Sequence, residues 1–441
     1  VLNQIVEILK KSNVFLTGRG GVGKSYLTQA VIKYYKSELK NVVVLGSTGI
    51  SAVSVGGVSV HSFFKFGICS NINELRGFDR KQRSNLSKLK TILDSCDLIV
   101  IDEISMISSD LMDMIYYRLM NSKFVGRVLL VGDFYQLPPV QKSDESRSNS
   151  LFKFLYAFNS SAWREFALTN IELVVSKRTK DEKFYEILSL LRIGNLSDEV
   201  VKYLENLRIK GLVVDDNVSV LFGRNNEVNL LNNKMLFALK TPLESSNAIV
   251  EIFDENLHES TLERWIANLA VPEILNMKIG AKIMFTANKW GEYYNGESGE
   301  IVQILKENGD ISSVIIKKSN NEILEIQKVR FDLSEFVLEG ENIEQQIKAS
   351  FFQFPFKLAY AITIHKSQGM SISNLICDLN HIFANGQLYV ALSRAIDPNG
   401  LRIFYDKSKP FIDYLRSVVK IDEEVSKFYL ENKFENIKED L

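Results

Sequence analysis

The sequence predicts an α/β protein of two lobes, each built on a doubly wound, mostly parallel sheet. Short β-branched runs alternate with stretches of helical periodicity, and the alternation occurs in two series along the chain. The runs are continuously apolar, as strands buried on both faces are. In the second series lies a stretch of different character, residues 279–329, cut by Asn295-Gly296, Asn308-Gly309 and Asn320-Asn321. Asn-Gly between alternating strands signals tight hairpins, because both turn positions take positive φ. A small inserted β-barrel is the expectation there.

Taken in order, strands are expected at 13–17, 42–45, 98–101, 128–131, 171–175, 218–222, 375–379 and 401–405. Helices are expected at 24–36, 111–120, 184–192, 225–239 and 387–394. Leu2, Ile5, Val6, Ile8 and Leu9 give the N-terminus a helical apolar spacing, unlike a signal peptide. A start at Val1 predicts a short native extension ahead of it. Residues 143–150 (SDESRSNS) read as an exposed loop, and the charged residues from 421 onward as a peripheral helix or frayed tail.

Composition sets bounds. With 441 residues, 46% hydrophobic and 24% charged, the chain reads as an ordinary globular protein of two to four domains. No apolar run reaches the roughly 18 residues of a membrane span. Cys69, Cys96 and Cys377 lie far apart, as do His61, His258, His365 and His381. That scatter argues against a disulfide framework, a zinc site or an iron–sulfur cluster and fits a reducing cytosol. A formal net charge of -1 means that any nucleic-acid binding must come from a local surface.

Two segments carry chemistry. Gly18-Arg19-Gly20-Gly21-Val22-Gly23-Lys24-Ser25 follows the first strand and opens a helix. Glycines let backbone N–H groups wrap phosphates, and the helix N-terminus favours their charge. Lys24 then reaches the terminal phosphates and Ser25 holds magnesium. The run 98–103 ends its apolar strand in Asp102 and Glu103. Downstream of such a loop, Asp102 suits the magnesium shell, and Glu103 suits the orientation and deprotonation of an attacking water. ATP and Mg²⁺ are therefore the expected ligands, with Ser25 and Asp102 as the metal-holding pair.

Further segments complete a pattern: Thr48-Gly49-Ile50, Gly57 to Phe63 (GVSVHSF), Gly132 to Val140 (GDFYQLPPV), Leu358 to Gly369 (LAYAITIHKSQG) and Gln387 to Arg394 (QLYVALSR). In this order and at these separations, the chain resembles the PIF-type (petite integration frequency) helicases of superfamily 1B. The resemblance runs through nearly the whole chain and points to a compact bacterial form.

The resemblance implies two RecA-like lobes, with a small wedge inserted in the first and an SH3-like β-barrel in the second. It gives a first lobe at 1–165 with its wedge at about 62–90, and a second lobe at 166–245 and 345–420. The inserted domain falls at 246–344 and a C-terminal tail at 421–441. It implies an ATP-dependent DNA helicase that travels 5′-to-3′ on single-stranded DNA. Such a protein works at junctions of single strand and duplex, as a monomer, in the cytoplasm at the nucleoid. Repair, recombination and telomere roles are properties of the family at large.

Residue by residue, the resemblance assigns adenine recognition to Gln4 and γ-phosphate sensing to Gln136. It makes Arg178 and Arg394 arginine fingers, and it adds Gln368 and Gly369 to the nucleotide set of Gly18, Gly20, Gly21, Gly23, Lys24 and Ser25. A guanidinium forks onto phosphate oxygens and stabilises charge that develops in transfer. DNA contacts fall on Thr48, Gly49, His61, Ser62 and Phe63 in the first lobe and on Thr363, His365, Lys366 and Ser367 in the second. Hydroxyls, backbone N–H groups and a lysine suit phosphates, and aromatic rings suit bases.

The chain departs from the family in two places. Thr179 follows Arg178 where glutamine is usual, and the stretch 120–127 ahead of Gly132 is brief. Lys177, Arg178 and Lys180 also fit a solvated charged turn, and the basic stretch from Arg76 to Lys90 fits a solvated helix face. Two alternatives stay open: a RecD-like motor subunit, and an ATP-gated DNA-binding protein that does not unwind.

Overall fold

Alternation within the apolar runs builds a sheet covered on both sides. In one hydrophobic cluster lie Phe15, Val43, Leu45, Ile99, Ile101 and Leu130. The other holds Val14, Leu16, Val42, Val44, Leu98, Val100, Leu129 and Val131. Neighbouring residues of one strand thus face opposite layers, as the period of two requires. The strands run Glu435–Ile437, Thr169–Leu173, Val14–Gly18, Arg127–Val131, Leu98–Asp102, Val42–Gly46, Val58–Ser59 across a seven-stranded sheet. Every neighbouring pair is parallel. Flanking helices include Leu2–Leu9, Lys24–Ser37 and Ser109–Met120.

The computed structural model describes residues 1–48, 51–52, 57–139, 155–214, 218–289 and 291–437. Gly49, Val140 and the 143–150 loop lie outside the described residues. By contacts the chain divides into two units. One comprises Val1–Lys177, Ser334–Gln346 and Ile421–Leu441, the other Arg178–Leu333 and Ile347–Lys420.

The second unit contains a five-stranded parallel sheet in the order Ala361–Thr363, Ser219–Phe222, Leu375–Asp378, Leu401–Phe404, Arg208–Ile209. On its outer strand, Ala361, the side-chain amide of Asn232 accepts from the backbone N–H at 2.9 Å and donates to the carbonyl at 3.0 Å. Asn232 belongs to helix Asn225–Ala238, so the amide replaces the missing neighbour strand. The hairpin-rich stretch folds as an antiparallel sheet in the order Ile323–Ile326, Asp310–Lys318, Ser298–Glu307, Lys282–Phe285, Phe356–Leu358. Asn308 and Gly309 both take positive φ at its sharpest turn, as the Asn-Gly pair demands.

Three boundaries differ from the sequence expectation, each for a physical reason. The strand near 171 was assigned to the second lobe but pairs with Val14–Gly18 throughout, from Val14↔Thr169 to Gly18↔Leu173. Apolar pattern marks a strand and not its partner. The segment from 421, expected as a peripheral helix or frayed tail, forms helix Glu423–Glu431 and then the unexpected edge strand Glu435–Ile437 of the first unit. Val425 and Phe428 are buried there among Phe15, Phe134 and Trp163. The tip of the insertion, Ser334–Gln346, also belongs to the first unit. Phe336 enters its core, Asn41 bonds Glu341 and Ile343 at 2.8 Å each, and Lys65 pairs with Glu335 at 3.2 Å.

The basic stretch after Phe63 forms helices Ile72–Asp79 and Arg83–Asp94, whose Leu75, Leu89, Ile92 and Leu93 join the same core. Buried Arg118 ties down the first of them. Its guanidinium holds both carboxylate oxygens of Asp79 at 2.6 and 2.7 Å and donates to the Phe64 carbonyl at 2.9 Å. Among the described residues no helix is long and apolar enough to cross a membrane. Asp79→Ala leaves a buried guanidinium unpaired, so urea unfolding should show a loss of about 3 kcal/mol. The double change Asp79→Leu with Arg118→Met should lose much less, since it removes the charge along with its partner.

Candidate nucleotide and DNA sites

Three central strands of the first sheet end on the same edge, and the candidate groups sit at those ends. Val14–Gly18 leads into the glycine loop, Leu98–Asp102 ends on Asp102, and Arg127–Val131 leads into Gly132 and Asp133. Carboxyl ends of parallel strands are where open α/β sheets bind ligands. Gly18 has φ +143, and a Cβ there would lie 2.5 Å from the Leu173 carbonyl oxygen and 2.9 Å from Val22. Gly21 and Gly23 have φ +83 and +91, and Gly23 caps helix Lys24–Ser37. The Lys24 ammonium donates to the carbonyls of Gly18 at 2.7 Å and Arg19 at 3.1 Å, inside the loop it belongs to. Gly20 follows Arg19 in the loop, and the Gly21 carbonyl accepts from the Lys177 N–H at 2.7 Å. Ser25 is exposed on the first helical turn.

Asp102 is almost fully buried, and its carboxylate accepts from the Glu103 N–H at 2.9 Å. Burial pushes its pKa up, while that N–H and the Lys24 charge pull it down. Glu103 follows with φ +55, a left-handed conformation costly for a side chain of this size and common at functional sites. Asp133 is wholly buried and caps its own turn through the Tyr135 N–H at 3.2 Å; the Asp133 carbonyl accepts from the Gln136 N–H at 2.9 Å. Gln4 is exposed on the N-terminal helix, whose Ile5, Val6 and Leu9 are buried.

The second unit gathers a different group. Arg394 is 2% exposed, and it donates to the Val390 carbonyl at 2.9 Å, the Ser367 carbonyl at 3.3 Å and the Ser393 hydroxyl at 2.8 Å. Arg178 donates to the Ser393 carbonyl at 2.5 Å and the Ser371 hydroxyl at 2.9 Å. Ser393 thus stands between two guanidiniums. Burial and then the positive charge of Arg394 hold the Arg178 pKa down to about 9, still protonated at neutral pH. Crowding of this kind favours an anion. Gln368 and Gly369 follow Ser367 in the same segment, with Gly369 at φ +79.

The candidate DNA residues divide. His61 and Ser62 are exposed on the short helix Val60–Phe63. Thr48 closes a turn with Ser51 through bonds of 2.9 to 3.1 Å. Phe63 departs from the expectation of a ring offered to bases. It is 4% exposed and packs edge-on against Phe64 and against Phe336 of the insertion tip. Nothing near Phe63 in the sequence announces Phe336. In the second unit Lys366 is exposed and His365 half-buried. Thr363 and Ser367 are buried, and the Ser367 hydroxyl is engaged by the Ile364 carbonyl at 2.8 Å. Burial alone lowers the His365 pKa, so its ring is neutral at neutral pH. That ring stacks on Phe383 at 6.0 Å and 17°, and Phe383 is 65% exposed. No motif in the sequence marks Phe383, which stands four residues before Gln387.

A glycine loop of this build, at the end of a central parallel strand and ahead of a helix, is that of a P-loop nucleotide-binding protein with RecA-like lobes. The family model described as PIF1-like helicase matches residues 1–202. The ATP-dependent DNA helicase Pif1 of Campylobacter jejuni is 45% identical over 98% of this chain and 98% of its own length. That of Bdellovibrio bacteriovorus is 32% identical over 89% and 84%. The crystal structure of a Bacteroides Pif1 with ADP-AlF4 superposes with a TM-score of 0.82 at 24% identity, over 97% of this chain and 95% of that one. The chain belongs to the PIF1-like helicase family. Gly18→Ala forces a Cβ into the Leu173 carbonyl at positive φ, which costs about 1–3 kcal/mol. A lower thermal midpoint and weaker binding of a fluorescent ATP analogue should report it.

Proposed function

We propose that the protein is an ATP-dependent DNA helicase that moves 5′-to-3′ along single-stranded DNA and opens the duplex ahead of it. One observation carries the reading. Buried Arg394 bonds the carbonyl of Ser367, in the same turn as His365 and Lys366. A group suited to phosphate is thus hydrogen-bonded to the turn that carries groups suited to DNA. The names of the Campylobacter and Bdellovibrio relatives support the activity; 5′-to-3′ travel is supported by the family resemblance alone.

In this reading the backbone of Gly18, Gly20, Gly21 and Gly23 cradles the triphosphate, and Lys24 meets its terminal oxygens. Gln4 contacts the adenine, and Gln368 and Gly369 line the nucleotide from the second unit. Ser25 and Asp102 offer hard oxygen donors of the kind a divalent cation takes. Magnesium, when bound, neutralises charge on the phosphate oxygens. Glu103 orients and deprotonates the attacking water, and Gln136 reports the γ-phosphate. Arg178 and Arg394 stabilise the charge that develops on transfer. Because they belong to the other unit, turnover depends on both units engaging one nucleotide, and hydrolysis ends that engagement. Repetition of that cycle moves the DNA.

On the DNA, Thr48, Gly49, His61 and Ser62 hold phosphates in the first unit, and Thr363, His365, Lys366 and Ser367 do so in the second. Phe63 supports this surface from within the core. Phe383, stacked on His365, adds an exposed ring for a base.

Arg394→Ala should lower DNA-stimulated ATP turnover by roughly 10³-fold or more, the worth of an arginine finger in related transfer. Duplexes with a 5′ or a 3′ single-stranded tail test the polarity, with Lys24→Ala as the inactive control. Opening of the 5′-tailed substrate alone is expected. Opening of the 3′-tailed substrate alone reverses the polarity. Turnover without opening of either points to a DNA-binding ATPase that does not unwind.

A further inference from the structure

The C-terminal segment does more than fill the first core. It delivers one hydroxyl to the joint between two parts of the nucleotide site. Tyr429 lies on helix Glu423–Glu431, and its hydroxyl is 2.8 Å from the Thr17 hydroxyl, one residue before Gly18. The same oxygen accepts from the Phe134 N–H at 3.3 Å and donates to the Asp133 carboxylate at 3.5 Å. Thr17 is wholly buried, as is Asp133. The Tyr429 ring is clamped between two others, stacked on Tyr135 at 4.7 Å and 17° and on Phe434 at 5.2 Å and 22°.

These contacts define a direction for the protons. If the Tyr429 hydroxyl donates to the Asp133 carboxylate, an acceptor, then Thr17 must be the donor to Tyr429. The chain of bonds runs Thr17 to Tyr429 to Asp133, with the Phe134 N–H as a second donor to the phenol oxygen. On one side Thr17 continues into Gly18, whose carbonyl holds Lys24. On the other, Asp133 caps the turn that presents Gln136. Stacking fixes the phenol in plane, and the strand Glu435–Ile437, paired with Thr169–Leu173, fixes the segment that carries it.

We propose that Tyr429 is a positioning residue for ATP hydrolysis. It sets the turn bearing Gln136 against the base of the glycine loop, so that the group expected to sense the γ-phosphate and the lysine expected to bind it keep one geometry. The inference rests on the ATPase reading above and extends it to a segment with no nucleotide motif of its own. Tyr429 touches no reacting atom, so it acts through the Asp133–Gln136 turn. Its loss falls on turnover more than on nucleotide binding, because the loop backbone that holds the phosphates is intact without it.

The test is Tyr429→Phe in the full chain, which keeps both ring stacks and removes only the hydroxyl. Assayed well below the thermal midpoint, DNA-stimulated kcat for ATP should fall about three- to tenfold with KM for ATP near wild type, while the midpoint itself drops by a few degrees, as one lost buried hydrogen bond requires. Thr17→Val, close in shape and lacking the partner hydroxyl, should show the same split. In a Gln136→Ala background Tyr429→Phe should add little, since both act on one turn. Three outcomes would overturn the proposal: unchanged kcat in Tyr429→Phe, a loss of kcat that appears only close to the lowered thermal midpoint, or full additivity with Gln136→Ala. Wild-type turnover abolished by Lys24→Ala separates these from a failure of the ATPase reading, in which the wild type itself would not hydrolyse ATP.

Discussion

The first unit depends on the absence of a side chain at one position. Gly18 ends a central strand where the Leu173 carbonyl of the neighbouring strand would lie 2.5 Å from any Cβ. That approach lets Thr169–Leu173 run beside Val14–Gly18 to its last residue and lets the chain turn at positive φ into the loop. The loop then closes on its own lysine, and the helix that follows starts at the sheet's carboxyl edge. Sheet order, loop shape and the placement of Lys24 are therefore one constraint seen from three sides.

The second unit solves a different electrostatic problem. Two guanidiniums share Ser393, and each depends on hydroxyls and carbonyls to make up for lost water. Like charges held this close are unfavourable unless an anion arrives. One of the two also bonds the Ser367 carbonyl, in the turn that carries His365 and Lys366.

Much of this was legible in the sequence. The two-lobed α/β architecture followed from apolar runs, and the runs had that character because both faces of each sheet are covered. The glycine loop and the acids after Ile101 stood out because their chemistry demands fixed residue types at fixed spacing. What stayed hidden were partnerships over long separations. The strand near 171 showed its apolar face and not its neighbour. The charged surface of 421–437 masked Val425, Phe428 and Tyr429, which face inward at helical spacing. Phe63 looked like a ring free to stack because Phe336, which covers it, is far along the chain. Phe383 went unread because a lone exposed aromatic has no pattern; only its stack on His365 gives it meaning.

The outer strand Glu435–Ile437 has a consequence for biosynthesis. Strand Thr169–Leu173 is made early, yet the neighbour that covers its free side is made only after the entire second unit. A nascent chain that has just finished the first six strands of that sheet carries an unpaired edge and an uncovered patch around Phe15, Phe134 and Trp163, surfaces that invite wrong pairing. The sheet of the first unit is complete only once residue 437 has been made.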